Sequence, residues 1–202
     1  LATGAGDFEA IVLAAGAGSR FGGGKLLTPW AGGVLLDGAL AAAFAAPVRR
    51  VILVTGADDR VGAAAGAFAE GAGEAGRLVI VHAPDHAEGM GASLRRAAAE
   101  LGPDCAGVFV FLGDMPRIPH AVLAALAQAV REGAPAAAPV FAGQRGHPAL
   151  IGAGLLPHLR ELSGDAGARG LLKGLGDRLA LVEAPDDGVL FDVDQPGDLD
   201  RR

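Results

Sequence analysis

The sequence predicts an α/β fold, a three-layer sandwich whose mostly parallel central sheet is covered by helices on both faces. Three observations predict it. Short apolar runs alternate along the chain with Ala-rich stretches of helical length, the rhythm of strand and crossover helix. Two of those runs, Val51–Thr55 and Val108–Leu112, are apolar almost throughout instead of alternating, which suits strands buried on both faces. The first run, Ile11–Ala14, empties into a loop with glycines at 16, 18, 22, 23 and 24, and strand ends of this kind are where α/β sheets collect ligands.

The elements follow in order. After the glycine loop a helix is expected around Val34–Ala46, stopped by Pro47, since proline cannot continue a helix. Strand Val51–Thr55, helix Val61–Glu70, strand Leu78–His82, helix Gly91–Leu101 and strand Val108–Leu112 come next. Pro119–Glu132 is the clearest helix, with Val122, Leu123, Leu126 and Val130 along one face. Beyond residue 134 the rhythm loosens. Ala136–Val140 and Ala149–Ile151 read as strands flanking a Gly143–Pro148 loop, Leu155–Leu162 and Ala168–Leu175 as short helices, and Leu179–Glu183 and Val189–Asp192 as late strands. Pro196–Arg202 reads as a closing helix with proline at its start.

The chain has 202 residues, enough to bury a substantial core as one domain spanning 1–202, with residues 1–7 expected to be a disordered N-terminus. A net charge of −6 argues against a surface built for nucleic acid or an acidic membrane, so a phosphate ligand must be met by local cations. Cys105 is the only cysteine. No intrachain disulfide can form, and a cytoplasmic setting is expected. The run Ile11–Ala15 is too short for a signal core or a membrane span.

Within the loop, glycines expose backbone N–H groups and admit positive φ, so they can form a nest for phosphate oxygens. Arg20 and Lys25 add two cations to it, which reads as a triphosphate loop. A plain turn would explain the glycines alone. The Gly16-Ala-Gly18-Ser-Arg-Phe-Gly22 spacing also suits a dinucleotide loop, but those open a helix, and Pro29 stands in the way here. A Walker A loop needs Ser or Thr after its lysine, and Leu26 follows Lys25. Asp114, in Leu112-Gly-Asp-Met-Pro116, falls at the end of another strand. An acid beside phosphates is repulsive unless a cation lies between, so Asp114 reads as a ligand for Mg²⁺; a turn aspartate is the alternative.

Leu13-Ala-Ala-Gly-Ala-Gly-Ser-Arg-Phe-Gly-Gly-Gly-Lys-Leu-Leu27 resembles the signature loop of the MobA-like nucleotidyltransferases. The pair Ala14-Ala15 is similar to its molybdenum cofactor cytidylyltransferase branch. Further matches follow in the family's order: Gly89-Met-Gly-Ala-Ser93, Leu112–Pro116, Arg145-Gly-His-Pro148, Gly164–Gly170 and Asp192–Asp198. The resemblance implies a Rossmann-like fold and transfer of CMP from CTP to the terminal phosphate of molybdopterin or its molybdenum-loaded form, with release of pyrophosphate and a requirement for Mg²⁺ or Mn²⁺. A relative using GTP or another phosphorylated acceptor is the alternative within the family. A nicotinamide-dependent oxidoreductase, or a non-catalytic protein delivering cofactor to a molybdenum hydroxylase, are alternatives outside it.

The resemblance also implies roles. Leu13, Ala14, Ala15, Gly16 and Gly18 would contact the nucleotide with Arg20 on the β- and γ-phosphates and Lys25 on the α-phosphate. Gly89 and Ser93 would lie against base and ribose, unless they only start a helix. Asp194 would be the second metal ligand, with Asp192 in reserve; capping of the Pro196 helix by Asp194 or Gln195 is the plain alternative. Arg145, His147 and Arg169 would face the acceptor, or serve structure. His82 and His86 have no zinc spacing and read as surface or packing residues. A molybdenum hydroxylase or its maturation chaperone is the expected protein partner.

Overall fold

The structure, a computed structural model, describes residues 8–200, without the side chains of Arg20 and Ala166. The expectation for residues 1–7 and the last two residues of the closing helix lie outside the described residues. Strands β1 (Phe8–Ala14), β2 (Pro29–Trp30) and β3 (Gly33–Val34) precede helix α1 (Leu35–Ala45). Then come β4 (Val48–Thr55), α2 (Arg60–Gly71), β5 (Leu78–His82), α3 (Met90–Ala98), β6 (Gly107–Leu112) and α4 (Ala121–Arg131). The last part holds β7 (Ala136–Phe141), β8 (Gln144–Arg145), β9 (Ala149–Gly152), α5 (Leu156–Leu159), α6 (Arg169–Gly174) and β10 (Leu179–Glu183).

The main sheet runs β10-β7-β9-β6-β1-β4-β5, with β8 paired to β7. Every pairing from β6 through β1 and β4 to β5 is parallel, as is β10 with β7. Strand β9 is antiparallel to both of its neighbours. Successive side chains of a strand point to opposite faces, and β1 divides accordingly. Phe8, Ala10, Val12 and Ala14 pack with α1, α2 and α4 on one face, while Ile11 and Ala15 pack with α3, α5 and α6 on the other. That is the predicted three-layer sandwich. The chain leaves β1 toward β4 and β5, then crosses back to β6 on the other side of β1. This reversal opens a crevice at the carboxyl ends of β1 and β6.

Three expectations change. The hairpin β2–β3 was not expected; its Ala31-Gly32 turn takes φ of 47° and 89°, and only the glycine signalled it. Val189–Asp192 is not a strand. Val189 closes a 3-10 turn, Asp187–Val189, and Leu190 keeps helical φ and ψ; the chain after it buries Phe191 and Val193 while exposing Asp192 and Asp194, so its alternation mimics a strand. It is pinned by isolated bonds, from the His147 amide to the Val189 carbonyl at 2.8 Å and from the Val193 amide to the Asp114 carbonyl at 3.1 Å. The closing element is a 3-10 turn over Pro196–Asp200. Its capping is the reverse of that considered: the amides of Asp194 and Gln195 both donate to Asp198 Oδ2 at 3.0 Å.

Candidate active site

The glycine loop leaves β1 and turns back on itself. Gly18, Gly22, Gly23 and Gly24 all have positive φ, from 58° to 94°, a region that side-chain-bearing residues rarely adopt. Gly18 and Gly22 bound a 3-10 turn, Ser19–Phe21, and Gly24 starts a second, Lys25–Leu27, whose Leu26 is buried in the core. Among the described residues, the amides of Gly16, Ala17 and Gly18 donate no hydrogen bond, so they remain available to an anion.

Lys25 reaches from this loop across the crevice. Its Nζ lies 2.6 Å from Asp114 Oδ2 and 3.8 Å from Asp194 Oδ1. The two carboxylate oxygens are therefore no farther apart than the sum of those distances, although 80 residues of sequence separate them. Asp114 stands just past β6, where Gly113 donates its amide to the Leu13 carbonyl at 2.9 Å. Asp194 is held by the segment whose buried side chains, Phe191 and Val193, pack on Trp30 and Leu35. Asp192 joins the same group electrostatically: its carboxyl is raised above the ordinary range by partial burial first, then by Asp194 and Asp114.

The crevice continues as a cleft of about 670 Å³. Leu13, Ala14, Ala15, Gly16, Gly18, Lys25, Gly89, Ser93 and Asp114 all line it, so the structure brings together every residue expected at the nucleotide whose side chain is described. Arg20's expected role falls on a side chain outside the described set. Gly89 takes φ 122° at the start of α3, and the turn Gly164–Ala166 packs so closely that a Cβ on Gly89 would come 2.3 Å from Asp165 Oδ1. Ser93 is buried in the first turn of α3. His86, Met90 and Asp165 also line the cleft. They carried no signal of their own in the sequence, beyond lying inside or beside the matched stretches.

The expected acceptor residues do not line this cleft. Arg145 is exposed on β8 and Arg169 is exposed at the start of α6. His147 feels the charge of Asp114: burial lowers its pKa most, opposed by Asp114 and the Val110 carbonyl, and its Nδ1 is buried without a partner among the described residues.

A cation between carboxylates is the natural state of this site, because two close acids repel unless charge is placed between them. The Lys25 ammonium occupies that place. Asp114 and Asp194 present oxygen atoms at an open edge, which suits a hard divalent ion that takes its remaining ligands from substrate phosphates and water. A fully protein-built cage is not formed: among the described residues, no three His, Cys, Asp or Glu side chains are grouped to hold a metal. No helix among them is long and apolar enough to cross a membrane.

Residues 10–181 match the family model described as the MobA-like NTP transferase domain. The chain is 28% identical to the molybdenum cofactor cytidylyltransferase of Escherichia coli over 191 residues, 95% of this chain and 93% of that protein. It is 30% identical to the purine catabolism protein PucB of Bacillus subtilis over 197 residues, 94% and 93% of the two chains. The crystal structure of Rv0371c from Mycobacterium tuberculosis superposes with a TM-score of 0.79 at 26% identity, covering 98% of this chain and 97% of that one. Its complex with manganese superposes with a TM-score of 0.74 at 26% identity over 96% and 97%.

Proposed function

The chain belongs to the MobA-like NTP transferase family and is a nucleotidyltransferase; from that premise we propose that it transfers CMP from CTP to the terminal phosphate of molybdopterin, or of its molybdenum-loaded form. The observation that carries the transfer chemistry is Lys25 bridging Asp114 and Asp194 at the mouth of the glycine loop. The likeness to a cytidylyltransferase and the Ala14-Ala15 pair support the choice of CTP.

In this reading an acceptor phosphate oxygen attacks the α-phosphorus, the bond to the β-phosphate oxygen breaks in line, and pyrophosphate leaves with those electrons. The nucleophile is already ionised near neutral pH, so the chain supplies position and charge instead of a strong base. The free amides of Gly16, Ala17 and Gly18 hold the β- and γ-phosphates with Arg20, and Lys25 turns from Asp114 to the α-phosphate. A divalent ion, Mg²⁺ or Mn²⁺, held by Asp114 and Asp194 would neutralise phosphate charge. Asp192 remains a reserve ligand, and Arg145, His147 and Arg169 are assigned to the acceptor, whose product would pass to a molybdenum hydroxylase or its chaperone.

A second reading keeps the chemistry and changes the acceptor, favoured by the comparable identity to a purine catabolism protein. One experiment separates them. Thermal shifts with CTP, GTP, ATP, UTP and NADPH, each with and without Mg²⁺, read binding to the folded state, and pyrophosphate release is then assayed with molybdopterin. A shift specific to CTP with Mg²⁺ and release dependent on molybdopterin are expected. A preference for GTP, or no release with that acceptor, overturns the substrate assignment.

A further inference from the structure

The cleft wall beyond the phosphate loop carries a histidine ring held on two sides. His86 Nδ1 lies 2.9 Å from the Ala83 carbonyl oxygen. A carbonyl only accepts, so Nδ1 is the nitrogen that donates, and in the tautomer this bond selects Nε2 is the bare acceptor. The stem of the same side chain is seated over Gly56, where an added Cβ would come 2.8 Å from His86 Cβ, 2.7 Å from its Cγ and 2.8 Å from the Ala15 carbonyl oxygen. That carbonyl already accepts from the Ala57 amide at 3.1 Å. With Cγ against Gly56 and Nδ1 tied to Ala83, the far edge of the ring is the one left to the cleft that His86 lines. Among the described residues Nε2 is neither hydrogen-bonded nor buried.

We propose that His86 selects the base, Nε2 accepting a hydrogen bond from the exocyclic 4-amino group of cytosine. This rests on the CTP reading above. With the phosphates at the Gly16–Lys25 loop and the carboxylates, the base falls to the end of the cleft formed by Ala15, His86, Gly89 and Ser93. A fixed lone pair there pairs with an amino hydrogen and repels the 4-carbonyl oxygen of uracil, so one contact admits one pyrimidine and rejects the other. Asp165, an exposed carboxylate, also lines the cleft. It sits on a short 3-10 turn, without the ring's two-sided seat, and suits the ribose hydroxyls.

The test is titration calorimetry of CTP, UTP and GTP with Mg²⁺ at pH 8, where an ordinary imidazole is neutral, on the wild type, His86→Leu, His86→Gln and Asp165→Asn. The wild type should favour CTP over UTP. His86→Leu should weaken CTP about tenfold and leave UTP unweakened. His86→Gln, whose amide can donate or accept, should bind the two alike, and this variant carries the test if the leucine variant fails to fold. Asp165→Asn should weaken both nucleotides together. An unchanged ratio of CTP to UTP affinity in the His86 variants, or a ratio that collapses only in Asp165→Asn, overturns the role of His86 and leaves the CTP reading standing. A wild type that prefers GTP overturns both.

Discussion

Trp30 and Phe191 face each other with ring centroids 6.0 Å apart and planes tilted by 33°. The contact joins the β2–β3 hairpin to the segment that carries Asp192 and Asp194, and Phe21 of the glycine loop packs on the same small core. The glycine loop and the carboxylate segment are thus braced on one small core around this aromatic pair. Trp30 is the only tryptophan, so its fluorescence should change on addition of CTP with a divalent ion. Phe191→Ala should cost about 3 kcal/mol of stability and raise the metal concentration needed for half-maximal pyrophosphate release. Unchanged metal dependence in a folded variant would show that the brace does not position Asp194.

Lys25 has two tasks in the proposed cycle, charge balance for the carboxylates and contact with the α-phosphate, and one substitution separates them. Lys25→Ala should lower turnover by about 10²-fold or more, the scale of removing one preorganised donor to developing charge. It also removes the cation that competes for Asp114. Manganese alone, without nucleotide, should therefore give a larger thermal shift in the variant than in the wild type. Near-normal turnover would sink the assignment.

Much of this was legible from residues. The buried parallel strands declared themselves because both faces are covered, so Val51–Val54 and Val108–Phe111 had no polar side to show. Of the cleft-lining set, the glycine loop, Lys25 and Asp114 were legible because glycine positions and strand ends are local features, whereas Leu13, Ala14, Ala15, Gly89 and Ser93 were reached only through the family resemblance. What was missed depends on contacts made at long range. Nothing local tells an alternating stretch that follows a 3-10 turn and is pinned at Val189 and Val193 from a strand in a ladder. Glu9 is fully buried between Arg49 and Arg50, about forty positions later in the chain, and no local pattern links them. The seat for His86 comes from Gly56, thirty positions earlier, and no spacing rule links the two.

Gly38 shows the same long-range dependence with a functional consequence. It lies within α1, where alanine would ordinarily be the better residue, yet a Cβ there would come 2.2 Å from the Pro116 carbonyl oxygen and 2.6 Å from its Cα. Helix and loop must separate to admit it. Gly38→Ala is expected to destabilise by about 2 kcal/mol through overpacking and to displace Asp114, two residues before Pro116. Chemical denaturation and turnover should both register the change, and an alanine variant as stable and active as the wild type would refute the close packing.

At the opposite end of the sheet, Glu9 accepts from Arg49 at 2.6 Å and from Arg50 at 2.9 Å, and the Gly102 amide adds a third donor at 3.2 Å. Removing the acid takes away the carboxylate partner of Arg50 and leaves Arg49 with Asp104 alone. Both arginines are about 30% exposed, so water recovers part of the loss, and Glu9→Ala should cost about 3 kcal/mol. The site lies at the amino ends of the strands, so kcat for the folded fraction should be unchanged. A fall in kcat at full folding would mean that the network reaches the cleft.

Arg49 also holds Asp104, through hydrogen bonds at 2.7 and 2.6 Å. Those bonds, reinforced by its positive charge, bring the Asp104 carboxyl down to about 2 from an ordinary 3.8. A carboxylate whose pKa is lower in the folded state contributes stability that is complete above its unfolded value and is lost as pH falls toward the folded one. The loss from this residue therefore falls between about pH 4 and about pH 2. Asp104 is exposed, so salt should weaken the effect. Asp104→Asn should be less stable than the wild type at pH 6, and the gap should close on acidification through that window, read as urea midpoints across the pH series. A gap that stays constant with pH would show that the asparagine acts through packing or backbone bonds instead of through the charge.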